Sequence, residues 1–142
     1  MVLDTCGTVI TRVRPDAMLQ LRELLKALRL HQWIKNLLVF VPITLGGRLT
    51  DFFALGTTAI AFFAIGAIAS AGYLINDMWD AADDRAHRSK RHRPLASGRL
   101  SFRVATFAAL FLIGAGLTIG TMVSINIGAF LFAYLLLSLT YS

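Results

Sequence analysis

Four apolar runs, separated by polar segments, dominate the pattern of the chain. They cover about residues 33–47, 52–75, 104–123 and 125–141. The second run has 24 residues without a charge, and a helix needs roughly 20 apolar residues to cross the hydrocarbon core of a bilayer. Glycine and alanine recur in these runs, as expected where membrane helices pack closely. The pattern predicts an all-α fold, a multi-pass transmembrane helix bundle of about four helices.

The segment ahead of the first apolar run has a different period. Between Asp16 and His31, leucines recur at helical spacing among Arg, Glu and Lys. This spacing predicts an amphipathic helix that lies at the membrane surface. The chain is therefore divided into a cytoplasmic N-terminal segment with this interfacial helix, residues 1–31, and a transmembrane domain, residues 32–142, whose polar loop covers residues 76–103.

Composition strengthens the membrane assignment. Hydrophobic residues make up 56% of the 142 residues, and the mean hydropathy is +0.66. A soluble chain this short could not bury so much apolar surface, so the lipid bilayer is the first predicted partner. Cys6 is the only cysteine, so no internal disulfide is expected.

The net charge of +6 comes from two blocks of basic residues. Residues 1–35 hold six Lys and Arg, residues 76–103 hold seven, and only Arg48 lies elsewhere. Charges divided between apolar runs do not form the single basic face that nucleic acid needs, so no nucleic-acid partner is expected. The division fits the positive-inside rule. It predicts a cell membrane protein, in the inner membrane of a bacterium, with both termini and loop 76–103 in the cytoplasm.

Four aspartates follow the second apolar run. On a continuing helix, 100° per residue places Asp77, Asp80 and Asp84 within about 60° of one another, whereas Asp83 points away. Three carboxylates on one stripe repel each other, and the repulsion is poorly screened at a membrane boundary, so a positive partner is expected between them. Oxygen ligands that are shared with substrate phosphates suit Mg²⁺, which is the predicted cofactor.

Basic residues come directly after the aspartates. Lys90, Arg91 and Arg93 are suited to neutralise phosphate oxygens that the metal leaves uncovered. An acidic stripe beside a basic loop is an arrangement that binds Mg²⁺-diphosphate and stabilises it as a leaving group. For Arg99 and Arg103 we favour a topological role alone. The aspartates indicate function, because ionisable groups at a membrane edge are costly.

Two motifs resemble those of a known family. The first is Asn76-Asp77-x-x-Asp80-x-x-x-Asp84, followed by Lys90-Arg91-x-Arg93-Pro94-x-Ala96-Ser97-Gly98. It resembles the first Asp-rich motif of the UbiA superfamily of intramembrane prenyltransferases. The second is Leu28-Arg29-x-x-Gln32-Trp33-x-Lys35-Asn36, which is closest to the decaprenyl-phosphate phosphoribosyltransferase-like branch of that superfamily. The resemblance covers about residues 25–142.

The resemblance implies a function and a set of site residues. A member of this family would transfer a prenyl or phosphoribosyl group from an isoprenoid or phosphoribosyl diphosphate donor to an aromatic or polyprenyl-phosphate acceptor. Mg²⁺ and the donor diphosphate would be held by Asn76, Asp77, Asp80 and Asp84, of which the three aspartates are the catalytic candidates. The other substrate-binding candidates are Lys35, Asn36, Tyr73, Lys90, Arg91 and Arg93.

The resemblance also implies a second half of the bundle. Members of the family carry a second Asp-rich motif there, whereas residues 100–142 contain no Asp or Glu. We therefore expect the chain to represent the N-terminal half of a UbiA-type bundle, with the C-terminal half as a missing partner. We also expect the chain to be inactive by itself.

Two other function classes compete with this interpretation. CDP-alcohol phosphotransferases also place aspartates at a membrane edge, but their motif needs Asp-Gly, then Ala-Arg and two further Asp pairs, which this chain lacks. A non-catalytic four-helix membrane subunit, or a cation-binding component of a transporter, is the other alternative. A second Asp-rich helix encoded after Ser142 would distinguish the enzyme from the subunit.

Overall fold

The computed structural model describes residues 16–141, and helix is the only regular structure among them. The α-helices are α1 (Ala17–Ala27), α2 (Val41–Leu45), α3 (Phe52–Trp79), α4 (Ala81–Ala86), α5 (Phe102–Val123) and α6 (Ile125–Thr140). Two 3₁₀ helices, Leu30–Phe40 and Lys90–His92, lie before α2 and after α4. The predicted all-α fold is confirmed.

Three of the four predicted apolar runs are single helices. α3 has 28 residues and α5 has 22, with mean hydropathies of 2.1 and 1.9 in their most apolar parts, so both are long and apolar enough to cross a membrane. α6 is equally apolar but has 16 residues, which is about 24 Å of helix. Ser124 separates α5 from α6, because its extended backbone (φ −165°) ends one helix and its Oγ accepts from the Asn126 N–H of the next.

The first apolar run differs from the prediction of one membrane helix. It forms the 3₁₀ helix Leu30–Phe40 and then the short α2. Pro42 has no N–H and its ring crowds the preceding turn, so an α-helix cannot continue through it, but Pro is tolerated in a first turn such as that of α2. The predicted helix at residues 16–31 is likewise shorter, ending at Ala27. The remainder of the predicted N-terminal segment, residues 1–15, lies outside the described residues.

α3 is the central helix, and two clusters of buried side chains pack against it. Near its C-terminal end the cluster includes side chains from α1, from α5 and from the connection between α4 and α5. Its members are Ala27, Ala71, Leu74, Leu95, Leu100, Ala105 and Ala109. Further from that end, Ala64 and Ile68 pack against Leu131 and Leu135 of α6. The first cluster places α1 and the 87–101 connection beside the aspartates at the end of α3.

Trp33 joins the first 3₁₀ helix to α3. Its indole Nε1 donates to Ser70 Oγ at 3.0 Å, and Ser70 Oγ donates to the Leu28 carbonyl at 2.9 Å. The ring meets Phe62 edge-on, with centroids 5.9 Å apart. It also lies against Gly66, where an added Cβ would come within 2.8 Å of the ring. The absence of a side chain at Gly66 therefore lets this segment approach α3.

We expect Gly66→Ala to destabilise the fold by about 1–3 kcal/mol, because a rigid indole must shift to admit the new methyl group. Gly56→Ala is the matched control on the same helix, since nothing lies within 4 Å of a Cβ there. It should be neutral or stabilising by up to about 1 kcal/mol, because alanine favours helix. Thermal unfolding in detergent measures both, and equal shifts would contradict the packing of Trp33 on Gly66.

Arg48, the one basic residue outside the two blocks, is neutralised locally. Its Nη2 lies 2.6 Å from Asp51 Oδ2. Asp51 also caps α3, accepting from the Ala54 N–H at 3.0 Å. The Ala54 N–H and the Arg48 guanidinium together hold the pKa of Asp51 below its usual value. This pairing leaves the turn before α3 without net charge.

Candidate active site

The site is built where α3 ends and α4 begins. Asp77 lies in the last turn of α3 and is 3% exposed, and Asp84 lies in α4 and is 2% exposed. The helix is interrupted only at Asp80, because the Asp84 N–H still donates to the Asp80 carbonyl at 2.8 Å. Asp83 is exposed. The buried and exposed faces agree with the predicted stripe, although α3 and α4 are two helices and not one.

Two arginines from different parts of the chain meet the buried carboxylates. Arg29 Nη2 donates to Asp77 Oδ1 at 2.7 Å. Arg93 Nη1 lies 3.4 Å from the same oxygen and donates to Asp84 Oδ2 at 2.7 Å. One guanidinium thus bridges both aspartates. Buried carboxylates need such partners, because an unpaired charge in a low dielectric is strongly destabilising.

Arg29 reaches Asp77 through an unusual backbone conformation. Its φ of 50° and ψ of 45° are left-handed, a region that costs a residue with a side chain about 1 kcal/mol or more. The conformation turns the chain between α1 and the first 3₁₀ helix. It also places the guanidinium carbon 5.1 Å from the centre of the Tyr73 ring, a cation–π contact. The pairing with Asp77 and Tyr73 offsets the backbone strain.

Lys90 completes the set of charges. Its Nζ is 4.0 Å from Asp84 Oδ1. We call Arg29, Asp77, Asp84, Lys90 and Arg93 the charged cluster. Its three cations pair with two carboxylates, and Asp80, three positions after Asp77, adds a third carboxylate nearby. Cations of this kind can also bind the oxygens of a phosphate.

A small cavity lies beside the charged cluster. It has a volume of about 210 Å³ and is lined by Gly72, Tyr73, Asn76, Ser138 and Tyr141. The lining comes from α3, from α6 and from the residue that follows α6. The cavity therefore presents hydroxyl and amide groups one turn away from Asp77.

The structure brings the predicted site residues together only in part. Asp77, Asp84, Lys90 and Arg93 meet in the charged cluster, and Tyr73 and Asn76 line the cavity beside it. Lys35 is exposed and makes no ion pair with a described carboxylate, and the Nδ2 of Asn36 is buried without a hydrogen-bond partner among residues 16–141. Arg91 is exposed and contacts the neighbouring His92.

Asp80 is the predicted ligand with the fewest contacts. Its side chain is partly exposed and makes no hydrogen bond or ion pair with residues 16–141. Its carboxylate does not stabilise the fold through a polar partner in this part of the chain.

The aspartates supply oxygen donors, which are the type of ligand that Mg²⁺ prefers. Among residues 16–141, no group of three or more His, Cys, Asp or Glu side chains is close enough to hold a metal ion. Mg²⁺, however, is commonly bound through one or two carboxylates, several waters and substrate phosphates. Asp77 and Asp84 offer such carboxylate oxygens, and Asp80 has no competing partner. The chemistry of the set therefore suits one Mg²⁺ bound together with a diphosphate.

Arg29 is a site residue that sequence reasoning missed. It stood in the upstream motif without a role, although that motif was the only signal that could have found it. Nothing in the local pattern indicates a left-handed backbone at an arginine, and the partners Arg29 and Asp77 are separated by 48 positions. Only the packing of α1 beside α3 brings them together.

Comparisons with known proteins give consistent matches. A sequence model of the UbiA prenyltransferase family matches residues 37–142. The nodulation protein NoeC of Azorhizobium caulinodans is 41% identical over 120 residues, which are 82% of this chain and 38% of that protein. Decaprenyl-phosphate phosphoribosyltransferase of Mycolicibacterium smegmatis is 37% identical over 122 residues, 83% of this chain and 38% of that protein. The uncharacterized protein y4nM of Sinorhizobium fredii is 37% identical over 140 residues, which are 99% of this chain and 27% of that protein.

The family match includes the part of the chain that carries the aspartates. The chain spans 27% to 38% of the length of the three relatives, and the family match covers most of the chain, including Asp77, Asp84 and Arg93. The apolar helices α3 and α5 are those expected of a membrane protein of this kind. The chain belongs to the UbiA prenyltransferase family.

Proposed function

We propose that this chain forms the donor-binding part of a Mg²⁺-dependent membrane transferase. The enzyme transfers a prenyl or phosphoribosyl group from a diphosphate donor to an aromatic or polyprenyl-phosphate acceptor. The observation that carries the proposal is the buried pair Asp77 and Asp84, held by arginines at the end of an apolar helix. We use the term intact enzyme for the protein of the relatives' length that would contain this chain.

The cations of the charged cluster would bind the donor. Before the donor binds, Arg93 is paired with both Asp77 and Asp84. When the diphosphate enters, Arg93 exchanges carboxylate oxygens for phosphate oxygens, which suit its planar guanidinium equally well. Lys90 is beside it as a point charge. Mg²⁺ held by Asp77, Asp80 and Asp84, with Asn76 beside them, would neutralise the departing diphosphate.

The proposed reaction breaks the bond between the donor carbon and the diphosphate oxygen. The electron pair leaves with the diphosphate, and the carbon becomes an allylic cation or a ribosyl oxocarbenium ion. A carbon of an aromatic ring then attacks and releases its proton, or a phosphate oxygen of the polyprenyl acceptor attacks. Such a cation reacts with water, so the apolar helices would serve to exclude water from the site.

The upstream motif favours the phosphoribosyl donor and a lipid-linked acceptor. Gln32, Trp33, Lys35 and Asn36 match the branch that contains decaprenyl-phosphate phosphoribosyltransferase. A relative with that name is 37% identical to this chain. We therefore propose a polyprenyl phosphate as the first acceptor to be tested, with aromatic acceptors second.

The test is transfer by the intact enzyme in nanodiscs, with labelled phosphoribosyl or prenyl diphosphate as donor. We expect label to enter the polyprenyl-phosphate acceptor in the presence of Mg²⁺ and to stay in the donor when EDTA is present. The Mycolicibacterium smegmatis relative is the positive control, and empty nanodiscs are the negative control. Absence of product with every donor and acceptor, in a preparation where the control is active, would favour the non-catalytic subunit.

We also propose that both termini and the loop at residues 76–103 face the cytoplasm. The two basic blocks support this orientation, because only Arg48 of the 14 Lys and Arg residues lies outside them. In a Cys6→Ser background, Ser89→Cys should react with an impermeant thiol reagent only in inverted vesicles, and Leu49→Cys only in intact cells. The reverse pattern would contradict the orientation.

A further inference from the structure

Arg99 closes the basic loop, residues 87–101, around Arg93. Its Nη2 donates to the His92 carbonyl at 2.5 Å, and its Nε donates to Ser97 Oγ at 3.0 Å. The first of these acceptors directly precedes Arg93 in the chain. One guanidinium thus donates to two separate positions of the loop and stabilises the shape of the loop. The planar guanidinium loses little conformational freedom for each hydrogen bond that it forms.

Helix α1 holds the same loop from the other side. Gln20 Nε2 donates to the Arg99 carbonyl at 3.1 Å, and Gln20 Oε1 accepts from the Ser101 N–H at 2.9 Å. One side chain of α1 thus makes two hydrogen bonds to the backbone where the loop joins α5. This pairing fixes α1 and the end of the loop relative to each other.

Glu23 is a buried acid on the same face of α1. It is 2% exposed, and its two oxygens face different cations: Oε1 lies 2.5 Å from Lys26 Nζ, and Oε2 lies 3.5 Å from Arg99 Nε. Oε2 has no hydrogen-bond partner among the described residues. A buried carboxylate is costly unless it is paired, and Glu23 is paired with Lys26 at the shorter distance and with Arg99 at the longer one. Through this second contact the buried carboxylate attracts Arg99 towards α1.

Helix α1 also determines the position of the second arginine of the site. The helix ends at Ala27, and Arg29 follows it with a left-handed backbone that directs its side chain to Asp77. Ala27 itself is buried in the cluster with Leu95 and Leu100 of the loop. The same helix is therefore linked to Arg29 through the chain and to Arg93 through Gln20, Glu23 and Arg99.

From this connection we infer that α1 positions both arginines of the charged cluster, and that Glu23 and Arg99 are positioning residues for donor binding. Arg99 acts through the loop that carries Arg93 and does not itself contact Asp77 or Asp84. The inference rests on the proposed function for its effect on donor binding, but its structural part is independent of any activity. It assigns Arg99 more than the topological role expected from the sequence.

Arg103 offers a matched control. It carries the same charge four positions further on, is exposed, and makes no side-chain hydrogen bond or ion pair with residues 16–141. Arg99→Ala and Arg103→Ala thus remove the same charge from the same block of basic residues. Only the first removes the contacts with Glu23, His92 and Ser97.

The structural part is tested by hydrogen–deuterium exchange of the 142-residue chain in nanodiscs. We expect Arg99→Ala to speed amide exchange in residues 88–97 by about tenfold, because two hydrogen bonds and an ion pair are lost. Glu23→Gln should act in the same direction, since it removes the charge that holds Arg99. Arg99→Lys, which keeps the charge but not the fork, should lie between wild type and Arg99→Ala. Unchanged exchange in Arg99→Ala, or an equal change in Arg103→Ala, would overturn the inference.

The functional part is tested in the intact enzyme. Arg99→Ala should raise KM for the diphosphate donor about tenfold and leave KM for the acceptor unchanged, because a displaced Arg93 weakens phosphate binding. Partial unfolding alone would lower the amount of active enzyme, and hence kcat, without changing KM. Faster loop exchange with an unchanged donor KM would overturn the positioning role. An intact enzyme without any turnover would contradict the proposed function, while the exchange experiment would still decide whether α1 holds the loop.

Discussion

Asp80→Asn in the intact enzyme is expected to lower turnover by about 10³-fold while leaving thermal stability unchanged. Removing one group that stabilises developing charge typically costs this much. Asp80 is the most informative aspartate because its carboxylate has no polar partner among residues 16–141. The fold therefore loses no hydrogen bond or ion pair when the charge is removed, and any loss of turnover reflects what the carboxylate binds.

Asp83→Asn is the matched control for this experiment, since Asp83 is exposed and lies three positions further along the chain. Turnover should stay within about twofold of wild type. Asp77→Asn and Asp84→Asn should also abolish turnover, but each removes a buried ion-pair partner of an arginine and is expected to destabilise the protein by about 1–3 kcal/mol. Loss of turnover at Asp77 and Asp84 without any effect at Asp80 would indicate that the aspartates serve the fold alone.

The helices of this protein could be predicted well because lipid imposes a simple rule. A long uncharged run must be helical where no water is present to satisfy the backbone, and α3, α5 and α6 start and end close to the predicted runs. The first run was harder to predict because Pro42 divides it. A hydropathy pattern shows how apolar a segment is. It does not show that proline lacks the backbone N–H that a continuing helix needs.

The part of the candidate site that could be predicted consists of charged residues that are close to one another in the sequence. Asp77 and Asp84 lie two helical turns apart, so helical geometry alone places them on the same face. Lys90 and Arg93 follow within ten positions of Asp84. Arg29 could not be assigned in this way, because its contact with Asp77 depends on a left-handed residue and on the packing of α1. Long-range contacts of this kind follow from tertiary structure, which a periodicity does not report.

The role of Arg99 also depends on a contact between residues that are distant in the sequence. The positive-inside rule is sufficient to explain its charge, so the pattern of residues does not indicate a second role. The structure places it between the buried Glu23 and the His92 carbonyl. A basic residue can therefore satisfy the topology rule and also determine the shape of a loop, and only the burial of its partner shows the second role.

The 142-residue chain by itself is expected to show no transfer from phosphoribosyl or prenyl diphosphate to any acceptor. Ionising the donor requires the charge on the departing diphosphate to be met from more than one side. The charged cluster meets it from one side, and residues 100–142 contribute no Asp or Glu that could hold a second metal. The helices of this chain also cover the site from one side only, and a reactive cation that water can reach is quenched.

Purified chain in nanodiscs, assayed beside the Mycolicibacterium smegmatis relative, measures this directly. Product should stay below about a thousandth of that of the relative, a difference of about 4 kcal/mol in the activation barrier. Weak Mg²⁺-dependent binding of the diphosphate donor should remain, because Lys90 and Arg93 need no second half to contact phosphate. Asp80→Asn should weaken that binding and Asp83→Asn should not. Turnover by the chain that disappears in Asp80→Asn would contradict the prediction. It would mean that two copies of this chain assemble their carboxylates into one working site.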